Sequence, residues 1–486
     1  MPIIRRHILS AISVTLLVAL LFGCAVGPDY QAPKSSTAAQ WTSNMAGGET
    51  NGPADLAHWW RNFSDTNLDA LMLTAVQSNL TLQIAEAHVR EARAQRGVVS
   101  GALWPSIGSD AGYSRNLYGE HAYPALPPPF DYNLYNANFD AAWELDVFGG
   151  TRRTVQAASA EIGVAEYGQR DVLISVLAEV ARDYISARAY QQRLNIAEEN
   201  IRVERNVLSL TTNRFATGLG NNLDVQQAKA LLENTEAQIP SLQTGFDDSV
   251  YELSVLLGQQ PGALMDDMTA KKDIPLTPPL VPVGLPSDLL QRRPDVQKAE
   301  RELAAATAQI GVAKADLYPK FSLTGLAGVQ SVSAGNWFNY SSKYWDAGPT
   351  VQWELFEAGS IEANIHVQNA KQEEALDQYR QTVLTALQDA ESALTAYARE
   401  QVRRESLGES VASDRQALDL ATHLYKSGLT DFLNVLDSEN ALYNEQDTLV
   451  QSDQAVSLDL VQLYKALGGG WENEEKLSFQ REGAKL

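Results

Sequence analysis

Few side chains in this 486-residue chain are arranged for catalysis. The single cysteine is Cys24, so neither an internal disulfide framework nor a cysteine-based zinc site can be built. The histidines at 7, 58, 88, 121, 366 and 423 show no metal-ligand spacing, and each reads as solvated or structural. There is no phosphate-cradling glycine loop and no GxGxxG after a strand, so no cofactor and no catalytic residue is expected. The formal charge of -22, from 38 basic and 60 acidic residues, excludes a nucleic-acid partner, because phosphate binding needs a basic surface. What remains is one thiol that can be acylated, and carboxylates whose meaning depends on where the fold puts them.

The setting of Cys24 gives its chemistry. Arg5, Arg6 and His7 precede an almost wholly apolar run from Ile8 to Phe22, followed by Gly23. A membrane-spanning helix needs ~20 apolar residues, so the shorter run suits a secretory signal over residues 1–23. Leu21-Phe22-Gly23-Cys24 resembles the lipobox of bacterial lipoproteins, with Phe22 where a small or aliphatic residue is usual. The resemblance implies cleavage before Cys24 and acylation of its sulfur and then its amine. Buried acyl chains, at ~0.8 kcal/mol per methylene, would hold the chain on a membrane. Ala25, in place of Asp, implies by the same resemblance the outer membrane.

The rest of the chain is a tandem duplication. Trp143-Glu144-Leu145 returns as Trp353-Glu354-Leu355, Thr217-Gly218-Leu219 as Ser427-Gly428-Leu429, and Leu223-Asp224-Val225 as Leu433-Asn434-Val435. Upstream, Gln83, Ala85, Glu86, Gly97 and Pro105 match Gln297, Ala299, Glu300, Gly311 and Pro319. Each copy reads as helix, strand, strand, very long helix and return helix. No proline falls between Pro129 and Pro240 or after Pro349, which leaves room for long helices, since proline breaks helix interiors. Leu173, Val180, Ala187, Leu194, Ile201 and Leu208 recur every seventh residue, with Leu177 and Tyr184 between them, as in a coiled-coil seam.

The strands point to the environment. From Tyr135 to Val147 every odd residue is apolar, and the even ones are mostly Asn, Asp and Glu. Alternation of that length matches a transmembrane β-strand with one lipid face and one wet face. A sheet in lipid must close, because an open edge strands N–H and C=O groups in hydrocarbon, and a useful barrel needs about eight strands. Four strands per chain therefore require several chains.

The expected organisation is a signal peptide (1–23), a lipidated extended segment (24–63) and a first repeat (64–260). The first repeat holds strands near 106–117 and 134–148, a long helix over 150–214 and a return helix over 222–258. A proline-rich linker (261–286) leads to a second repeat (287–470), with strands near 320–330 and 345–356, a long helix over 358–426 and a return helix over 432–467. A tail (471–486) follows. Tyr118–Tyr132 and Ser331–Lys343 read as exposed loops. Ser287 is expected to cap a helix, and Pro294 to open one.

Cys24-Ala25-Val26-Gly27-Pro28-Asp29-Tyr30, the block Trp60, Phe63, Asp65, Leu68 and Leu71, and above all Leu285-Pro286-Ser287-Asp288-Leu289-Leu290-Gln291-Arg292-Arg293-Pro294-Asp295 resemble the TolC/OprM family of outer-membrane efflux channels, in its NodT-type lipoprotein branch. The resemblance spans residues 24–470. It implies a mainly α fold with a β-barrel part: a homotrimer with a twelve-stranded barrel among outer-membrane lipids and a twelve-helix periplasmic tube. It further implies a passive conduit for drugs or other small amphiphiles, fed by an inner-membrane pump through a periplasmic adaptor. At the closed tip, Leu433 and Asp437 match gate residues, and Asp224 and Tyr425 match residues that link neighbouring helices. Thr430 stands where TolC has its linking arginine, Asn434 replaces another gate aspartate, and Asn440 stands where arginine is frequent. Competing readings are the outlet of a type I protein-secretion system, a non-conducting coiled-coil lipoprotein and an envelope enzyme.

Overall fold

The structure, a computed structural model, describes residues 25–33, 38, 40–42, 49–50, 56–118, 130–275, 277–278 and 281–472. The signal segment, Cys24, the prolines 124 and 127–129 of the first loop, and the tail past 472 lie outside the described residues. The elements are β1 (Glu49–Thr50), a 3-10 turn (Trp59–Phe63), α1 (Thr66–Ser78), α2 (Leu80–Gly101), β2 (Ser106–Tyr118), β3 (Phe130–Leu145) and α3 (Gly150–Ala216). There follow α4 (Asn222–Glu236), α5 (Ile239–Leu256), α6 (Met265–Met268), β4 (Val281–Pro282), α7 (Pro286–Arg292) and α8 (Pro294–Ala315). The chain ends with β5 (Lys320–Ser331), β6 (Lys343–Gln352), α9 (Ser360–Lys426) and α10 (Phe432–Ala466). The long helices α3 and α9 have 67 residues each. That is about 100 Å at ~1.5 Å per residue. No described helix is long and apolar enough to cross a membrane.

Several boundaries differ from the sequence expectation. The return helix over 222–258 is two helices, because Pro240 lacks an N–H and sits where α5 restarts. β3 begins at Phe130, inside the expected loop, and stops at Leu145. It stops there because Asp146 turns to cap α3, accepting from the Thr151 and Arg152 amides at 3.0 and 2.8 Å. β6 ends at Gln352, short of 356; the chain then bends through positive φ at Ala358 (50°) and Gly359 (82°) into α9. Ser287 does not cap α7. Leu285 holds that position, and the Asp288 carboxylate accepts from its amide at 3.1 Å. Pro294 does open α8.

The chain divides into two compact units: residues 1–34, 88–165 and 298–380, and residues 35–87, 166–297 and 381–486. The first unit carries one antiparallel sheet in the order β2-β3-β5-β6. Its register aligns the alternations of all four strands. Tyr113 faces Tyr135, Phe139 faces Ala327, Ala327 faces Trp345, and Phe321 faces Val351, so these apolar side chains share one face. Asp110, Asn138, Asp140, Thr324, Asp346 and Thr350 share the other. The apolar face stands open, with Ile107, Phe139 and Trp345 all exposed. Tyr135 and Trp143 bracket it, about 26 Å apart at ~3.3 Å per residue, close to the ~25 Å apolar band of an outer-membrane barrel.

The first residues after Cys24 are fastened to this unit. The Val26 amide donates to the Phe148 carbonyl at 3.0 Å. Arg153, 4% exposed, donates to the Val26 and Gly27 carbonyls at 3.0 and 3.2 Å and pairs with Asp29 at 2.9 Å. Tyr30 donates to Glu300 at 3.0 Å.

The second unit holds the main apolar core. Leu173, Leu177, Val180, Tyr184 and Ala187 of α3 share it with Trp59, Phe63, Leu68 and Met72. This stretch of the heptad seam is therefore covered by the extended N-terminal segment and α1 as well as by other long helices. Asp65 caps α1 by accepting from the Asn67 and Leu68 amides, and it also accepts from the Tyr184 hydroxyl at 2.7 Å. The proline-rich linker belongs to this core. β4 pairs in parallel with β1, and the fully buried Arg188 donates to the Met268 and Ala270 carbonyls at 3.3 and 2.8 Å.

Candidate functional site

The residues singled out at the tip lie in two matching turns of the second unit. α3 ends as Gly218 takes φ +75°, and the Leu219 amide reaches back to the Arg214 carbonyl at 2.8 Å. α9 ends in the same way, with Gly428 at φ +73° and the Leu429 amide on the Leu424 carbonyl at 2.9 Å. A side chain at either position would be strained by the left-handed backbone, which is why both copies have glycine there. Asn221 caps α4 by accepting from the Asp224 amide at 3.0 Å. Asp224 thus lies in the first turn of a helix, where the dipole favours a carboxylate.

Five buried side chains, Ala228, Ala421, Tyr425, Phe432 and Val435, hold the two turns together. Around them the sequence-derived residues fall into two groups. Tyr425 is buried and its hydroxyl donates to Asp224 Oδ2 at 3.5 Å. Burial, and then the Asp224 charge, hold that phenol above its ordinary pKa. Thr430 and Asn434 bond to each other instead, with Asn434 Nδ2 donating to Thr430 Oγ1 at 2.6 Å, so within one chain they link no separate helices. Leu433 (53% exposed) and Asp437 are both on the exposed side of α10, four residues apart and so on one face, while Phe432 and Val435 turn inward.

One residue escaped the sequence reading. Arg214 donates to the Tyr425 carbonyl at 3.3 Å and to the Leu219 carbonyl at 3.4 Å, and its guanidinium lies 4.7 Å from the Tyr425 ring centre. Arg214 thus brings a cation from the first turn onto Tyr425 of the second. A signal was present, since Arg214 is the basic residue in the last turn of α3, next to carbonyls that need donors. The exposed leucines 219, 223, 429 and 433 crown the same turns. Among the described residues no group of three His, Cys, Asp or Glu is placed to hold a metal ion.

Comparison with known proteins agrees with this geometry. The sequence model of the outer membrane efflux protein family matches residues 71–259 and 285–469, one block in each repeat. The chain is 31% identical to the antibiotic efflux pump outer membrane protein ArpC of Pseudomonas putida, over 95% of this chain and 96% of that one. It is 30% identical to the cation efflux system protein CusC of Escherichia coli, over 93% and 97%. The solved outer-membrane channel OprN superposes with a TM-score of 0.86 at 33% identity, covering 92% of this chain and all of that one. The chain belongs to the outer membrane efflux protein family.

Proposed function

We propose that three copies of this chain pool their sheets into one twelve-stranded outer-membrane barrel. Their long helices then form a periplasmic tube through which substrate leaves the cell passively, with no catalytic step. The observation that carries the reading is the four-stranded sheet itself. Its register sorts apolar from polar residues onto opposite faces, and β2 and β6 are left as edges without a further strand among the described residues. Such edges are tolerable in lipid only if other copies pair with them.

An inner-membrane pump and a periplasmic adaptor are the partners. Relatives of nearly equal identity are named for an antibiotic pump and for a cation system, which supports a duct whose cargo is chosen upstream. Drugs, dyes or detergents are the cargo we assign. Cys24 carries the lipid. The residue after it, Ala25, packs on the Gly149 backbone between β3 and α3, which suits an anchor beside the barrel.

At the tip, Leu433 and Asp437 form the gate, and the Tyr425–Asp224 contact, braced by Arg214, links the turns. At ~7 Å spacing and an effective dielectric of ~20, each pair in a three-copy Asp437 ring would repel by about 2 kcal/mol, so the leucines and the helix links must hold the closed tip. Replacing Leu433 and Asp437 together by Ala should raise single-channel conductance in planar bilayers, and unchanged conductance discards the gate. Drug susceptibility of a deletion strain, read beside its secreted proteins, separates efflux from protein secretion.

A further inference from the structure

The packing of α3, α4 and α10 behind the gate face contains one layer that breaks its own rule. Inward positions on these helices step by three and four residues, the spacing that apolar side chains take between packed helices. Ile201 and Leu208 flank Glu204 on α3, Leu232 precedes Thr235 on α4, and Val435 and Leu442 flank Glu439 on α10. Glu204, Thr235 and Glu439 are 2%, 1% and 4% exposed. Above and below the layer are apolar clusters built on Ala197, Leu242 and Tyr443 and on Ala228, Phe432 and Val435.

The layer is short of donors. Thr235 Oγ1 donates to Glu204 Oε1 at 2.8 Å. Among the described residues, Glu204 Oε2 and both Glu439 carboxyl oxygens have no hydrogen-bond partner. The charges that bear on the pair are all acidic: Glu204 acts on Glu439, and Glu236 of α4 acts on Glu204. Glu236 itself turns outward to Arg205 at 2.7 Å. On α10, the Tyr443 hydroxyl is taken by Gln238 at 2.8 Å, and one turn further Asp447 is paired with Arg193. Two carboxyls buried in one layer, with no cation acting on them among the described residues, cannot both ionise while the helices stay packed.

We propose that Glu204 and Glu439 form a proton-controlled latch on the tip. While the pair holds a proton, α10 packs on α3 and α4; when both carboxyls are charged, repulsion and the demand for water part α10 from α3. Leu433 and Asp437 lie on the opposite face of the same turns of α10 and move with it. This deepens the gate reading and rests on it. Burial first, and then Glu204, push Glu439 up to about 7, so the packed tip binds more protons than the loosened one. Packing is therefore strongest below the ordinary glutamate value and weakens as pH rises through about 7.

The test uses the full-length protein in planar bilayers from pH 5.5 to 8.5, with amide hydrogen exchange of residues 432–446 corrected for intrinsic rates. Wild-type leak should rise about fivefold or more across that range, because one proton's release can shift the packing equilibrium up to tenfold per pH unit. Glu439→Gln, a neutral near-isostere of the protonated acid, should keep leak and exchange at the low-pH level throughout, and Glu204→Gln should flatten the same rise. A wild-type rise that persists in both variants overturns the latch, as does wild-type exchange that ignores pH. If the Leu433 and Asp437 double variant fails to leak, the gate reading falls alone, and the exchange data still decide the latch.

Discussion

Gly27 offers a sharp test of how the segment behind the lipid anchor is held. Its φ is +94°, and a Cβ added there would lie 2.5 Å from the Gly311 Cα and 3.1 Å from the Gly311 nitrogen. Both atoms are backbone within α8, so neither can give way. An alanine in left-handed backbone costs about 1–2 kcal/mol. Forcing a methyl into a filled contact costs about 1–3 kcal/mol more. Gly27→Ala thus loses about 2–5 kcal/mol, which the chain avoids by lifting residues 25–30 off the unit. Lifting also strips the buried Arg153 of two carbonyls and Asp29, so the release is cooperative. The Val26 amide, now bonded to the Phe148 carbonyl, reports it. Its exchange protection should fall at least roughly thirtyfold, the equivalent of 2 kcal/mol. Gly101→Ala, at a position with open space around it, should leave exchange unchanged. Equal protection in Gly27→Ala and wild type would refute the argument that backbone contact at Gly27 fastens the arm.

Other consequences are simpler to state. Phe139→Arg, in the middle of the apolar strand face, should cost about 2–4 kcal/mol at mid-membrane and deplete trimers in outer-membrane fractions. Asp140→Asn, on the polar face, should leave their yield intact; equal depletion would reverse the assignment of faces. Arg214→Ala removes two carbonyl contacts and a cation–π contact worth ~0.5–1 kcal/mol, whereas Tyr425→Phe removes one long hydrogen bond worth about 0.5–1.5 kcal/mol. Leak in bilayers should therefore rise more in Arg214→Ala than in Tyr425→Phe, and the opposite order would remove Arg214 from the tip brace. Arg188→Met takes the donor from the Ala270 carbonyl and from the buried Gln191 Oε1, while the Met268 carbonyl keeps Gln191; the loss of about 1–3 kcal/mol should open residues 261–278 to limited proteolysis while α3 stays protected.

What could be read from the sequence was whatever a period or a covalent rule enforces. The duplication follows from recurring motifs, and the long proline-free helices and the strand alternating from Tyr135 to Val147 from periods of about 3.6 and 2; the structure has these elements in the same order, with ends shifted by a few residues. The motif behind Cys24 was recognisable only as a string. Its physical content is that Gly27 touches Gly311 and that Arg153 reads the Val26 and Gly27 carbonyls, contacts made across more than a hundred residues that no local pattern encodes. The docking of the linker was illegible for a related reason. Its prolines announce a break in helix, and they do so whether the segment is free or, as here, docked by Arg188 and paired with β1.

The tip shows most clearly where sequence reading stops. Asp437 and Asp224 drew attention because they match family positions at the tip, yet Glu439, two positions past Asp437, has the more unusual surroundings. In sequence Glu439 is one more acid in a chain with 60 of them. Only packing distinguishes it, because a heptad position is inward or outward according to which helices stand beside it, and here the neighbours present a second carboxyl. An acid at an outward position costs almost nothing, and at an inward one it must find a donor, keep a proton or force the helices apart. The Glu204–Glu439 layer has donors for only part of its oxygen, so the choice left to it is between a proton and a gap.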